Sequence, residues 1–279
     1  MASIRTNVPD IGIATSCDNP SLFPSVQNIQ LTSNSLTASL SDGLEDEAYE
    51  RYSKEIRVMY AFCFEQVYSE DYDIILTTTH IGHSGHNERK EYLLSESAPV
   101  SEGFGNTAKT LFEDIMGVRL GQAKRRGFFN SAFIWARANE LQELQLLTEA
   151  YTQYWRLLDL INEKSQLTQA DTATLLEKRN LAKTESNRFA VRVLHKMGML
   201  KEDSNGNIES LSLLDSLRHP HAHQASGRTD YYMEEETHLE AEMHNIFIAD
   251  ITKLFIIHEI GLQDYYLKPR ANIYELAKR

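Results

Sequence analysis

Cysteine is nearly absent: Cys17 and Cys63 are the only two in 279 residues, and they stand in no paired spacing. A disulfide framework or a cysteine-ligated zinc site is therefore not expected, and a reducing compartment is. Long apolar runs are missing too, none reaching the roughly 18 residues that a membrane span needs. From Met1 to Ser16 there is one arginine and no apolar centre, so no secretion signal is expected. These absences lead us to expect a cytoplasmic protein with no membrane partner. Positive charge is short: 28 Lys+Arg face 40 Asp+Glu, a net charge of -12. That excludes a protein that coats nucleic acid by bulk electrostatics. No serine nucleophile elbow, P-loop or dinucleotide fingerprint is present, since Gly103-Phe104-Gly105 lacks the glycine that should follow. What remains is ordinary globular usage, 42% hydrophobic and 24% charged, in a chain long enough for one large domain or two small ones.

The scarcities are unevenly spread. Residues 1–120 hold 8 Lys+Arg and 18 Asp+Glu, a net of -10, while residues 121–279 hold 20 and 22, a net of -2. Only the second part is expected to present a basic patch easily. All 6 prolines and all 13 glycines lie outside Phe128 to Met197. A stretch free of both helix breakers predicts helices. A boundary is expected near Gly121–Gly127, where the run Lys124-Arg125-Arg126 also falls, giving parts 1–125 and 126–279.

In the first part, the opening 40 residues are rich in Ser, Thr, Asn and Pro and read as loop or weak strand. Ile56, Val58, Tyr60, Phe62 and Phe64 alternate, which predicts a half-buried strand over Ile56–Phe64. The competing reading is a helix over Glu45–Tyr68. Asp73–Thr79 and Glu91–Leu94 read as further strands, and Thr107–Met116 as a short amphipathic helix. A small antiparallel sheet with a helix follows. Between the two strands, His80, His83 and His86 recur at a spacing of three. Imidazoles bind transition metals, but this spacing in a Gly-rich loop sets no geometry. A solvated loop is the plainer reading, and no metal or other cofactor is expected.

In the second part, Leu141, Leu144, Tyr151, Trp155, Leu158 and Ile161 trace one face of a helix expected over Phe128–Glu163. A second helix is expected over Thr168–Gly198, with Thr168 and Asp171 as caps and Gly198 as its stop. Asn205-Gly206-Asn207 reads as a turn and Leu211–Leu217 as a short helix. Thr237–Ile260, stopped by Gly261, is the last. Trp135 and the stretch Tyr151–Trp155 are expected in the core. Helices joined by short connections predict a bundle, and the whole chain an α+β fold.

The distinctive segment is Leu211-Ser212-Leu213-Leu214-Asp215-Ser216-Leu217-Arg218-His219-Pro220-His221-Ala222-His223. Pro220 lacks an N–H and disfavours α geometry at His219, so an amphipathic helix is expected to break where one arginine and three histidines gather. Arg and His suit phosphodiester cleavage. A guanidinium grips phosphate with a planar fork and stabilises charge building on its oxygens. An imidazole titrates near neutrality and can move the proton of a 2′-hydroxyl or of a leaving 5′-oxygen.

Arg218-His219-Pro220-His221-Ala222-His223 resembles the Arg-x4-6-His motif of the HEPN domain family, helical bundles many of which are ribonucleases. His219 matches the polar residue that commonly follows the arginine, and Ala222 the small residue before the histidine. The resemblance covers Phe128 to the C terminus and leaves residues 1–120 aside. It implies a HEPN-like bundle after a small β-rich recognition or regulatory part. It further implies a homodimer whose two motifs form one composite cleft for RNA. Arg218 would bind the scissile phosphate, His223 would act as acid or base, and His219 would orient the site. The implied products carry 2′,3′-cyclic phosphate and 5′-hydroxyl ends, as in phage-defence or toxin-type effectors. His221 is read as a further substrate contact, and Tyr231, followed by Tyr232, as a base-stacking residue. A second spacing match, Arg188 and His195, falls inside an expected helix and reads as a surface pair. The acidic first part leaves a regulatory protein partner open. A non-catalytic HEPN-like module that binds a nucleotide or a protein is the alternative function.

Overall fold

The computed structural model describes residues 2–7, 12–32, 35–41, 46–65, 74–78, 102–178, 181–198 and 235–262. Among them are one five-stranded antiparallel sheet and seven helices, so the α+β class stands. The chain forms two compact units, Met1–Ala136 and Arg137–Arg279, and the division falls inside a helix.

The first unit opens with β1 (Ala2–Asn7), β2 (Thr15–Asp18), β3 (Val26–Leu31) and β4 (Ser35–Leu40). The Ser- and Thr-rich opening is thus sheet rather than loop. In β4, Leu36, Ala38 and Leu40 are buried, while Thr37 and Ser39 between them stay part-exposed. That alternation is what a half-buried strand requires. A register shift between Val26 and Asn28 marks a bulge in β3. The extra residue resets the alternation, so Val26, Ile29 and Leu31 all reach the core. The strand order is β2-β3-β4-β1-β5, with β5 (Ile74–Thr78) beside β1. The strand expected over Asp73–Thr79 is therefore present, while Glu91–Leu94 lies outside the described residues.

Ile56–Phe64 is not a strand. It is the second half of α1 (Asp46–Phe64), close to the competing helix reading. Every residue from Ile56 to Phe64 is buried, Arg57 included. One side meets β1 and α2 (Glu102–Gly117). Another meets α3 (Gln122–Glu143), with the Phe62 ring 5.4 Å from that of Trp135. A segment buried on all sides carries apolar residues on every face, here at all positions but Arg57, so its alternation had no power to separate strand from helix. The helix expected over Thr107–Met116 is the body of α2.

The second unit holds α4 (Leu147–Glu163), α5 (Gln169–Lys178), α6 (Glu185–Lys196) and α7 (Glu235–Glu259). The helix expected over Phe128–Glu163 is two helices. Gln145 takes φ 60°, its N–H reaches Gln142 O at 2.9 Å, and Leu146 N–H reaches Leu141 O at 2.9 Å. This is a Schellman stop with glutamine where glycine is usual. Leu144 lies 59% exposed at the corner instead of on the buried stripe. The helix expected over Thr168–Gly198 is likewise two, and Thr184 Oγ1 caps α6 by accepting Asn187 N–H. Gly198 at φ 65° does end α6, as Gly261 at φ 98° follows α7.

Candidate functional site

Arg218, His219, His221, His223 and Tyr231 lie outside the described residues, as do Tyr232 and His80, His83 and His86. Asn205-Gly206-Asn207 and Leu211–Leu217 lie outside them too. What can be described is the frame on either side of the motif, α6 before it and α7 after it.

That frame is built around α4, which packs against both α6 and α7. Its start meets α7 near the middle, where buried Asn245 donates from Nδ2 to Leu147 O at 2.8 Å. Its end meets α7 late, where Lys164 pairs with Glu259. The two helices therefore run parallel. The same direction holds for α6. Phe189 stacks on Trp155 at 4.7 Å between ring centres, Arg192 donates to Asn162 O at 3.2 Å, and Lys196 reaches Glu259 at 3.5 Å. Three C-terminal ends thus converge on one carboxylate, which two lysines neutralise. The last residues of α6 and the first of α7 lie toward opposite ends of α4. The motif occurs in the segment that joins those two ends. Trp135 is buried as expected, and Trp155 is half-buried against Phe189.

The other spacing match has an ordinary explanation. Arg188 pairs with Glu185 at 2.9 Å, one turn away, and His195 is exposed in the last turn of α6. Asp171, at the start of α5, is held below the usual carboxylate range by hydrogen bonds from the Thr168 hydroxyl and N–H, with His195 adding a weaker attraction. Thr168 and Asp171 satisfy one another reciprocally, each side chain accepting the other's N–H at 3.1 Å. This is a capping box with aspartate in the glutamate position.

One further polar site was not read from the sequence. In the first unit, α1 and the opening turns of α3 enclose a groove of about 730 Å³. Five cations line it, Arg51, Lys54, Arg57, Arg125 and Arg126, against three carboxylates, Glu47, Glu50 and Glu55. Arg125 is its structural anchor. It grips Glu55 with both terminal nitrogens, donates from Nε to Leu22 O at 2.9 Å, and lies 4.9 Å from the Phe129 ring centre. Burial pushes the Glu55 carboxyl above its usual range, and the Arg125 charge and hydrogen bonds oppose that without cancelling it. The signal in the sequence was Lys124-Arg125-Arg126. It read as a boundary marker because its partners on α1 are about 70 positions away.

No protein-family model, no curated protein and no solved structure matches the chain. Among the described residues, no cluster of His, Cys, Asp and Glu has the makings of a metal site, and no helix is long and apolar enough to cross a membrane.

Proposed function

We propose that the protein is a metal-independent endoribonuclease of the HEPN type, acting in the cytoplasm as a phage-defence or toxin-type effector. The observation that carries this reading is Arg218-His219-Pro220-His221-Ala222-His223 itself. Support comes from its setting in a helical unit, between a capped α6 and a long α7 that pack on the same central helix. Two chains pair so that both motifs face one cleft. Arg218 binds the scissile phosphate and steadies charge on its oxygens. His223 takes the 2′-hydroxyl proton or returns one to the leaving oxygen. The 2′-oxygen bonds to phosphorus as the phosphorus–5′-oxygen bond breaks, leaving a cyclic phosphate and a 5′-hydroxyl. His219 orients the site, His221 contacts the substrate, and Tyr231 offers a face for a base.

The test incubates total RNA with the purified full chain and with its His223→Ala variant, each with and without EDTA. The parent cuts in both conditions and leaves 2′,3′-cyclic phosphate ends. The variant loses cleavage by about 10²- to 10⁴-fold, the usual worth of a positioned acid–base group. Parental cutting by the variant, or loss of cutting in EDTA, overturns the mechanism. No cutting by either chain points to the non-catalytic binding module.

A further inference from the structure

We propose that the groove between α1 and α3 is a nucleotide-binding site, separate from the Arg218–His223 segment. Three features of its lining converge on that ligand class. The first is surplus positive charge in an acidic environment. Residues 1–120 carry a net of -10, yet even leaving aside Arg57, which is buried, four cations face three carboxylates in the groove. Two of the three carboxylates are already answered, Glu50 by Lys54 at 3.1 Å and Glu55 by Arg125. Arg51 and Arg126 stand exposed on opposite walls, and among the described residues neither is held in an ion pair. A concave site lined by one excess sign focuses the field, so a local surplus can capture an anion that the whole surface repels. Guanidinium groups favour phosphate through their planar fork of donors.

The second feature is an aromatic strip beside the charge. Phe129 and Phe133 line the groove one turn apart on α3, and Phe133 is 37% exposed. The exposed part of the Phe133 ring, set within a charged groove, offers apolar contact to a base. The third is a pair of amides, Gln122 and Asn130, on the same wall. Amides both donate and accept, as base edges do, whereas a carboxylate ligand would use only donors. Phosphate, base face and base edge together specify a nucleotide. About 730 Å³ falls within the range of small-ligand sites. The α1 wall from Glu47 to Val58 runs about 16 Å, enough for a short stretch of strand. The nucleotide can be free or part of a single-stranded RNA, and the chemistry is the same.

The experiment uses the full chain carrying His223→Ala, so that no RNA is cut. Calorimetric titrations compare AMP, a single-stranded oligoribonucleotide and inorganic pyrophosphate. Arg51→Ala/Arg126→Ala weakens all three ligands by at least about tenfold, as lost charged hydrogen bonds should. Phe133→Ala weakens AMP and the oligonucleotide by about fivefold or more and leaves pyrophosphate unchanged. Arg51 and Arg126 are exposed, so the double arginine variant should keep the parental melting temperature, and parental pyrophosphate binding by Phe133→Ala serves as its check of folding. Preference for the oligonucleotide over AMP makes the source an RNA strand, and equal or tighter AMP binding makes it a free nucleotide. The proposal is overturned if no nucleotide binds, if binding survives in both variants, or if pyrophosphate or a polyglutamate peptide binds as tightly as AMP. The site does not use Arg218 or His223, so loss of cleavage and loss of groove binding are separate results.

Discussion

Glu55 feels two opposed influences, and their balance sets what this one group contributes to the pH dependence of stability. Burial raises its carboxyl above 4.5, and the Arg125 guanidinium pulls it back without prevailing. Taking two charges out of water can cost more than their attraction returns. Because folding raises this group, its folded form holds the proton more tightly than the unfolded form. The associated stability is present below the unfolded value of 4.5 and is lost as pH rises through the folded one. Glu55→Gln keeps an oxygen acceptor for Arg125 and resembles the protonated acid. Parent and variant should therefore melt at similar temperatures near pH 4. On raising the pH to about 7 the variant should gain relative to the parent. Thermal unfolding across that interval checks this, and a relative loss by the variant would show that the ion pair stabilises the fold on balance.

Helix ends were the least legible elements, and for identifiable reasons. Gly198 and Gly261 announce stops because glycine takes the left-handed conformation without penalty, and both stops are where the sequence placed them. Gln145 takes the same conformation at φ 60° with no such announcement, so α3 and α4 read as one helix. The apolar stripe ran on through Leu144, since a stripe reports burial preference and not chain continuity. The break before α6 is similar, as Thr184 in a polar run looks like helix surface until its hydroxyl is seen capping Asn187. That cap yields an element-scale prediction. Thr184→Ala should cost about 1 kcal/mol, and Thr184→Ser should recover most of it. Denaturant unfolding of the full chain measures both, and an unchanged midpoint in Thr184→Ala would mean that burial of Val191 and Leu194 alone sets this helix. Ile56–Phe64 failed differently. There the surrounding fold, not the local pattern, chose helix, and only the long-range contacts with Trp135 and β1 show why.

At the scale of the whole molecule, a net charge of -12 should repel nucleic acid, yet both sites are proposed to bind phosphate. The two statements are compatible if attraction is confined to a few guanidinium contacts while repulsion is long-ranged. Salt separates them. Added salt screens the distant repulsion over a Debye length of about 8 Å at physiological strength, which flattens any measured loss of affinity. Phosphate contacts behave oppositely, each contributing about -0.7 to the slope of log affinity against log salt for single strands. Comparing the parent with Arg51→Ala/Arg126→Ala cancels most of the repulsive background, because the two chains share nearly all their charge. If both guanidiniums bind phosphate, the oligonucleotide slope should become shallower in the variant by about 1.4. Fluorescence anisotropy of a labelled strand, on the His223→Ala background, measures it. An unchanged slope with weakened affinity would mean that these arginines shape the groove without touching the strand. A change much larger than 1.4 would mean that their loss releases a broader contact surface than the groove contains.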